Sequence, residues 1–454
     1  MSDENEQDPE KDLQEMLRAF LEGKGQIDPE ALAGIAGLPT DAAALSALMN
    51  QLQSAMRAQG ATEGINANAA MEQAKSHALQ TVQPVSAITR AEIDQAFHIG
   101  GMWLDEAVGI AGLSQTPEVI SRLEWIEQTM PLWVQLASPV ASSIGEAMST
   151  VLAEQAPEEL RGIVANASQM MKQMGASLFS MQLGQIVGQL SCEVVSGGDV
   201  GIPLLADGHA ALLPQNMQEF GEGLEIPMDQ VHLYLAVREL AHARLFKHAR
   251  WLRLNLISAI TDFARGITID LSALEEVAGN FDPNDPEELR NAISGGAFIP
   301  PKSDPQLAAL ARLETQLALI EGWVDVVTEA AVERLPRASA IGETVRRRRA
   351  SGGPAERALG SLVGLELRPR RMREASLMWQ RVTDAVGVEL RDSLWSHPDA
   401  MPTAEDLDNP DALIARLTGV AAGEAPALDD MDRALQDLLE GKDFNAPGDD
   451  SQPE

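Results

Sequence analysis

Cysteine is almost missing from this chain. Cys192 is the only one in 454 residues, so no intrachain disulfide can form. Aromatic residues make up 4% of the sequence, with a single tyrosine, Tyr234, while Ala, Leu, Met, Gln and Glu are common. That balance favours helix over strand. Positive charge is also scarce: 34 Lys and Arg face 68 Asp and Glu, a formal net charge of −34. Such a surface repels nucleic-acid phosphate and argues against general DNA or RNA binding. No apolar run reaches the roughly 18 residues of a membrane span. Met1 to Glu10 is acidic and polar, without the apolar stretch of a secretory signal. The expectation is a soluble, cytoplasmic protein without membrane or nucleic-acid partners. No internal repeat is found.

Apolar residues make up 45% of the chain, enough for a sizeable core. The order of the sequence predicts a mainly α fold with a small β element and acidic, disordered termini. Residues 1–85 read as a partly disordered N-terminal region with short helices at about Asp12 to Leu21 and Asp41 to Arg57. Residues 86–420 form the main domain. Leu123 to Ala156 and Leu160 to Val194 are expected to be helical, with Pro131, Pro139 and Pro157 as boundaries or kinks. Val200 to Leu205 and Ala210 to Leu213 are candidate short strands, paired as a small hairpin. Met228 to about Arg265 contains no Pro or Gly, which predicts one very long helix or two joined near Ala249-Arg250. A further helix is expected at Pro305 to Arg334. Residues 421–454 form an acidic C-terminal tail, a candidate surface for recruiting protein partners.

The chemistry concentrates in the helix after Pro227. Val237-Arg238-Glu239-Leu240-Ala241-His242 follows the zinc-peptidase pattern His-Glu-x-x-His, except that arginine holds the first histidine position. In that pattern two histidines one turn apart bind the metal and the intervening glutamate is the general base. Glu239 and His242 hold the base and second-ligand positions. Taken alone, Glu and His three residues apart make an ordinary helix-surface pair. A second helix adds weight. Glu321 and Asp325 lie one turn apart within Leu317-Ala318-Leu319-Ile320-Glu321-Gly322-Trp323-Val324-Asp325, and acids in such apolar company are usually paired.

Together with Ser196-Gly197-Gly198-Asp199-Val200-Gly201, Arg346-Arg347-Arg348-Arg349-Ala350, Gly364-Leu365-Glu366-Leu367-Arg368-Pro369 and Leu394-Trp395-Ser396-His397-Pro398, these motifs resemble the zincin-like metallopeptidase type 2 family over roughly residues 90–410. The resemblance implies a mainly helical zincin-like domain and a zinc-dependent metallopeptidase or hydrolase acting on a peptide or protein. Glu239 would be the catalytic base, His242 and Glu321 the metal ligands, and Asp325 a support behind them. A sister branch, associated with deazaflavin-cofactor genes, keeps histidine where this chain has Arg238.

Arg238 decides between two readings. Catalytic zinc normally takes three protein ligands and a water, and a guanidinium offers no lone pair. Two unit charges about 4 Å apart interact by roughly 4 kcal/mol at an effective dielectric near 20, and a zinc ion doubles that. Structural zinc sites gain on the order of 10–16 kcal/mol in total. Unless Arg238 swings aside, the penalty is large enough to empty the site. Alternatively Arg238 replaces the metal, pairs with Glu321 or Asp325, and leaves an inactive scaffold or interaction protein.

His248, six residues after His242, is a weaker alternative ligand. If the helix continues, it points about 240° away from His242. The arginines at 346–349 would bind an anion or, on the preferred reading, pair with internal acids. Tyr234 lies one turn before Arg238 and is expected to be packed, with its hydroxyl near the cleft.

Overall fold

The computed structural model describes residues 64–154, 176–177, 179–266, 302–350, 353–363, 365 and 371–421. The short helices expected before residue 60 and the C-terminal tail lie outside these residues. Within them the protein is mainly helical, with one two-stranded sheet.

Local signals set the helix boundaries. Helix α1 (Ala67–Leu79) is capped by Asn66, whose side chain accepts from the Ala69 N–H at 3.0 Å. Ser86 caps α2 (Ala87–Ala107) through Thr89. Helix α3 (Arg122–Glu154) runs through both Pro131 and Pro139. A further helical stretch covers 179–191. Helix α4 (Pro214–Gly221) begins with its proline at the first turn, where the missing N–H costs nothing. The long Pro- and Gly-free segment divides as two helices, α5 (Met228–His248) and α6 (Arg250–Arg265), breaking at Ala249 with φ −95° and ψ 66°. Ser303 and Gln306 form a reciprocal capping box at the start of α7 (Asp304–Ala331). Helices α8 (Ala338–Ala350), α9 (Pro354–Val363), α10 (Met372–Ser393), α11 (Ala404–Asp408) and α12 (Pro410–Ala421) follow.

The strand expectation is corrected in part. Ala211–Leu212 is a strand, β2, but it pairs in parallel with β1 (Glu118–Val119). Val200 to Leu205 forms turns and bends, so the expected hairpin is absent among the described residues. Gly201 and Pro203 there favour turns over a ladder, and Ser196 makes the antiparallel bridge to Leu212 instead.

Helix α5 is the centre of the packing. It contacts α2 and α7 broadly, and α4, α6, α8 and β2 more narrowly. Every residue from Val231 to Phe246 is buried. A helix buried on all sides is ordinarily apolar all round. This one carries His232, Arg238, Glu239, His242 and Arg244 inside the fold, so each charge needs a partner. Arg244 donates to Asp105 at 2.6 Å and to the Gly101 carbonyl at 3.1 Å.

Helix α7 is fixed against α10 by tryptophans. Trp323 donates to Asp392 at 2.8 Å, and Trp379 donates to the Leu319 carbonyl at 2.9 Å. Trp395 stacks on Trp379 with ring centroids 5.4 Å apart, a contact worth about 0.5–1.5 kcal/mol beyond its area. Gly322 lets the two helices approach: a Cβ there would sit 2.7 Å from Ala375 Cβ. These contacts set the rotation of α7, and hence the placement of Glu321 and Asp325.

Candidate functional site: a buried arginine–carboxylate cluster

Arg238, Glu239 and His242 reach the site from α5, Glu321 and Asp325 from α7, and Arg346 and Arg349 from α8. The Gly197–Gly201 turn completes it. The five sequence-predicted residues 238, 239, 242, 321 and 325 are all at most 6% exposed.

Glu321 is the hub. Its Oε2 accepts from Arg238 Nη2 at 2.5 Å. Its Oε1 lies 2.7 Å from Arg349 Nη1 and 3.1 Å from His242 Nε2. His242 Nδ1 lies 3.1 Å from the Arg238 carbonyl, one turn back on the same helix. Burial alone would raise the Glu321 pKa. The charges of Arg349, His242 and Arg238 outweigh it and hold the carboxyl well below the usual carboxylate range. Burial weakens the hold of Arg238 on its proton, but Glu321, Tyr234, Asp325 and Asp199 together outweigh that and raise its pKa.

Glu239 has a different environment. Its Oε2 accepts from the Gly198 N–H at 2.7 Å and its Oε1 from the Ala211 N–H at 2.9 Å. Burial pushes this carboxyl up, although both amides, His242 and Ser196 act the other way. Gly197 and Gly198 lie directly over it. A Cβ on Gly197 would stand 2.8 Å from Glu239 Oε1, and one on Gly198 would stand 2.8 Å from His242 Cβ. The turn therefore closes over the motif helix by backbone contact. The cavity bordered by Glu239 and His242 has about 20 Å³, room for about one water.

Asp325 stands apart from the hub. Arg346 Nη1 lies 3.3 Å from its Oδ2, and Ser376 donates to the same oxygen at 3.3 Å. Arg346 also pairs with Glu329. Arg238 thus pairs with Glu321, and Asp325 is served by α8. Tyr234 is fully buried and its hydroxyl has no partner among the described residues. Burial raises its pKa to about 12, with Asp325 and Glu329 adding to the rise and Arg238 and Arg346 opposing it. His248 is exposed at the C-terminal end of α5 and takes no part in the cluster.

The arginine run divides its work. Arg346 serves Asp325 and Glu329, Arg348 lies 3.3 Å from Asp199, and Arg349 serves Glu321. The role of Arg349 was not assigned from sequence. The available signal was charge: two acids in an apolar helix need more than the one cation that Arg238 supplies.

These residues do not fit a zinc ion. The carboxylate that would ligate it is held by two guanidiniums, one on each oxygen. Among the described residues no group of three or more His, Cys, Asp or Glu is arranged to hold a metal. No helix among them is long and apolar enough to cross a membrane.

The chain matches the zincin-like metallopeptidase family over residues 65–414. A crystal structure from Chloroflexus aurantiacus, described as a "putative hydrolase with a novel fold", aligns with a TM-score of 0.54 and 19% identity, covering 78% of this chain and 99% of that one. At that identity the likeness concerns the fold. None of the curated proteins compared with the chain matches it. The family match spans most of the 454 residues and contains every part of the buried cluster, and the chain belongs to the zincin-like metallopeptidase family.

Proposed function

We propose that this protein keeps the zincin scaffold without the metal and works by binding a partner rather than by cleaving a substrate. One observation carries the reading: Glu321 is held by Arg238 and Arg349, so positive charge already lies where a metal's charge would lie. The closed turn over Glu239 supports it, since both oxygens of the would-be base are engaged by backbone amides. The acidic composition of residues 421–454 is complementary in charge to a basic protein partner.

The experiment is metal analysis of the purified protein, paired with thermal melting before and after chelator. The expected result is less than a tenth of an equivalent of zinc per chain and an unchanged melting temperature. Stoichiometric zinc that is lost on His242→Ala would overturn it.

A second reading, a zinc-dependent peptidase, is favoured by one distance. His242 Nε2 and Glu321 Oε1 are 3.1 Å apart, close to the separation of two ligands on one zinc with bonds of about 2.0–2.2 Å. Under that reading peptidase activity accompanies the zinc and disappears in Glu239→Gln.

A further inference from the structure

A groove of about 640 Å³ runs between the N-terminal half of α2 and the first turns of α5. Residues 238, 239, 242 and 321 do not line it, so it is separate from the buried cluster. Ile88, Glu92, Gln95 and Ile99 recur at helical spacing along one face of α2. The small side chains of Ala91 and Ala96 beside them leave space that α5 does not fill. From α5, His232 and Leu233 form a buried floor, and Asp229 stands exposed at the edge. Ile88 is 73% exposed, so a large apolar side chain faces solvent at the mouth. Concave sites of roughly 300–1,000 Å³, mostly apolar with a few convergent polar groups, are the usual form of a small-molecule site.

The charges on this groove have one sign. Glu92 and Asp229 line it, and neither makes an ion pair or side-chain hydrogen bond with another of the described residues. Among the described residues that line it there is no Lys or Arg. Arg90, two positions from Glu92, is engaged elsewhere, donating to the Val119 carbonyl at 2.7 Å. The N-terminus of α5 offsets part of the Asp229 charge, but Glu92 lies beyond the first turn of α2, where such an effect has faded. His232 is 4% exposed, and its Nδ1 has no hydrogen-bond partner among the described residues; buried polar atoms are ordinarily paired. Burial lowers the His232 pKa, although Glu92 and Asp229 act the other way. The ring is therefore neutral at physiological pH and cancels neither carboxylate.

We infer that this groove binds a small organic cation, a primary amine carried on a compact apolar body. The ammonium group faces Glu92 and Asp229, which act as acceptors from its N–H groups. The apolar body lies on Ile88, Ile99 and Leu233 and takes their surface out of water. The uncharged imidazole of His232 tolerates a cation above it, where an imidazolium would repel one. An anion would meet two like charges, and a neutral ligand would gain from burial alone. The inference stands whether or not the buried cluster holds a metal.

The test titrates the full chain with three probes of one shape and different charge: phenethylamine, 2-phenylethanol and 3-phenylpropionate. Binding is read by calorimetry and by the 13C-methyl NMR signals of Ile88 and Ile99, assigned through Ile88→Val and Ile99→Val. The amine is expected to bind with a Kd below about 1 mM and to shift both methyls, with the alcohol about tenfold weaker and the carboxylate weaker still. Glu92→Gln combined with Asp229→Asn should weaken the amine by about fivefold or more and leave the alcohol unchanged. Ala91→Phe fills the groove from an exposed position and keeps every charge; Ala87→Phe is a second filling variant. Either one, melting cooperatively, is expected to lose about tenfold or more in amine affinity. Equal affinity for the amine and the alcohol, or no binding of the amine, would overturn the inference. So would amine binding that leaves the two methyls unmoved or survives undiminished in a folded filling variant, since attraction to the acidic surface as a whole gives that result.

Discussion

Replacing Arg238 by methionine keeps most of its aliphatic volume and removes its charge. The two charge centres of the Arg238–Glu321 pair, with Nη2 and Oε2 at 2.5 Å, lie about 4 Å apart. At an effective dielectric of 20 that is about 4 kcal/mol of attraction. Removing one member of a buried pair typically costs about 3–5 kcal/mol. Glu321 keeps Arg349 at 2.7 Å and His242 at 3.1 Å, so Arg238→Met is expected at the lower end, about 3 kcal/mol. Glu321→Gln strands two arginines and is expected to cost at least as much. In the double variant the losses are not additive, and the coupling should be about 2–3 kcal/mol. Equilibrium urea unfolding at neutral pH, in chelator, measures all four corners of the cycle. Acid unfolding gives a second readout. The folded pKa of Glu321 lies below its ordinary value of 4.5, so its stabilisation is present above that value and is lost as pH falls through the folded pKa. Without Arg238 the folded pKa rises, so the loss should begin at higher pH. A coupling under about 0.5 kcal/mol, with an unmoved acid midpoint, would refute the claim that Arg238 and Glu321 form the centre of this site.

Tyr234 is the only tyrosine, so absorbance at the phenolate band reads it alone. Its titration should centre near pH 12 in the folded protein; the stability tied to it is present below the ordinary value of 10.0 and lost as pH rises towards 12. A midpoint near 10 under conditions where far-UV circular dichroism is unchanged would show that the ring is not buried. Tyr234→Phe removes a hydroxyl with no partner and is expected to be neutral or stabilising by up to about 1 kcal/mol in thermal melting. Glu239→Gln places an amide NH2 against a backbone N–H and should lower stability by about 1–3 kcal/mol, measured by urea unfolding; a base free to face substrate would show no such cost. Gly198→Ala drives a Cβ to 2.8 Å from His242 Cβ, and the expected penalty of about 1–3 kcal/mol is read from the shift in unfolding midpoint.

Much of this arrangement is legible in the chain itself. The Arg-Glu-x-x-His spacing and the Glu321–Asp325 pair each rest on one helical period, and the period survives folding. The division at Ala249 was one of two open alternatives, because no Pro or Gly marks it. The strand expectation for Val200 to Leu205 failed because apolar residues there are buried by a turn packed on α5. The partner of Glu321 was half legible. Arg238 is placed by the motif, but Arg349 arrives from α8, and its proximity depends on how that helix crosses α5 and α7. The small size of Gly197 and Gly198, which lets their turn lie close over α5 and brings the Gly198 N–H onto Glu239, shows its value only in the fold.

The two arginines on Glu321 come from positions 238 and 349, on different helices. Each guards the same carboxylate against the loss of the other. Restoring histidine at 238 alone would leave Arg349 on one oxygen, with its positive charge still opposing a cation. Releasing Arg349 alone would leave Arg238 on the other oxygen. Freeing both oxygens of Glu321 therefore takes changes at both positions, and each single change gives up a buried ion pair. A carboxylate secured from two helices is thus doubly held: one substitution weakens its ion pairing without leaving it bare.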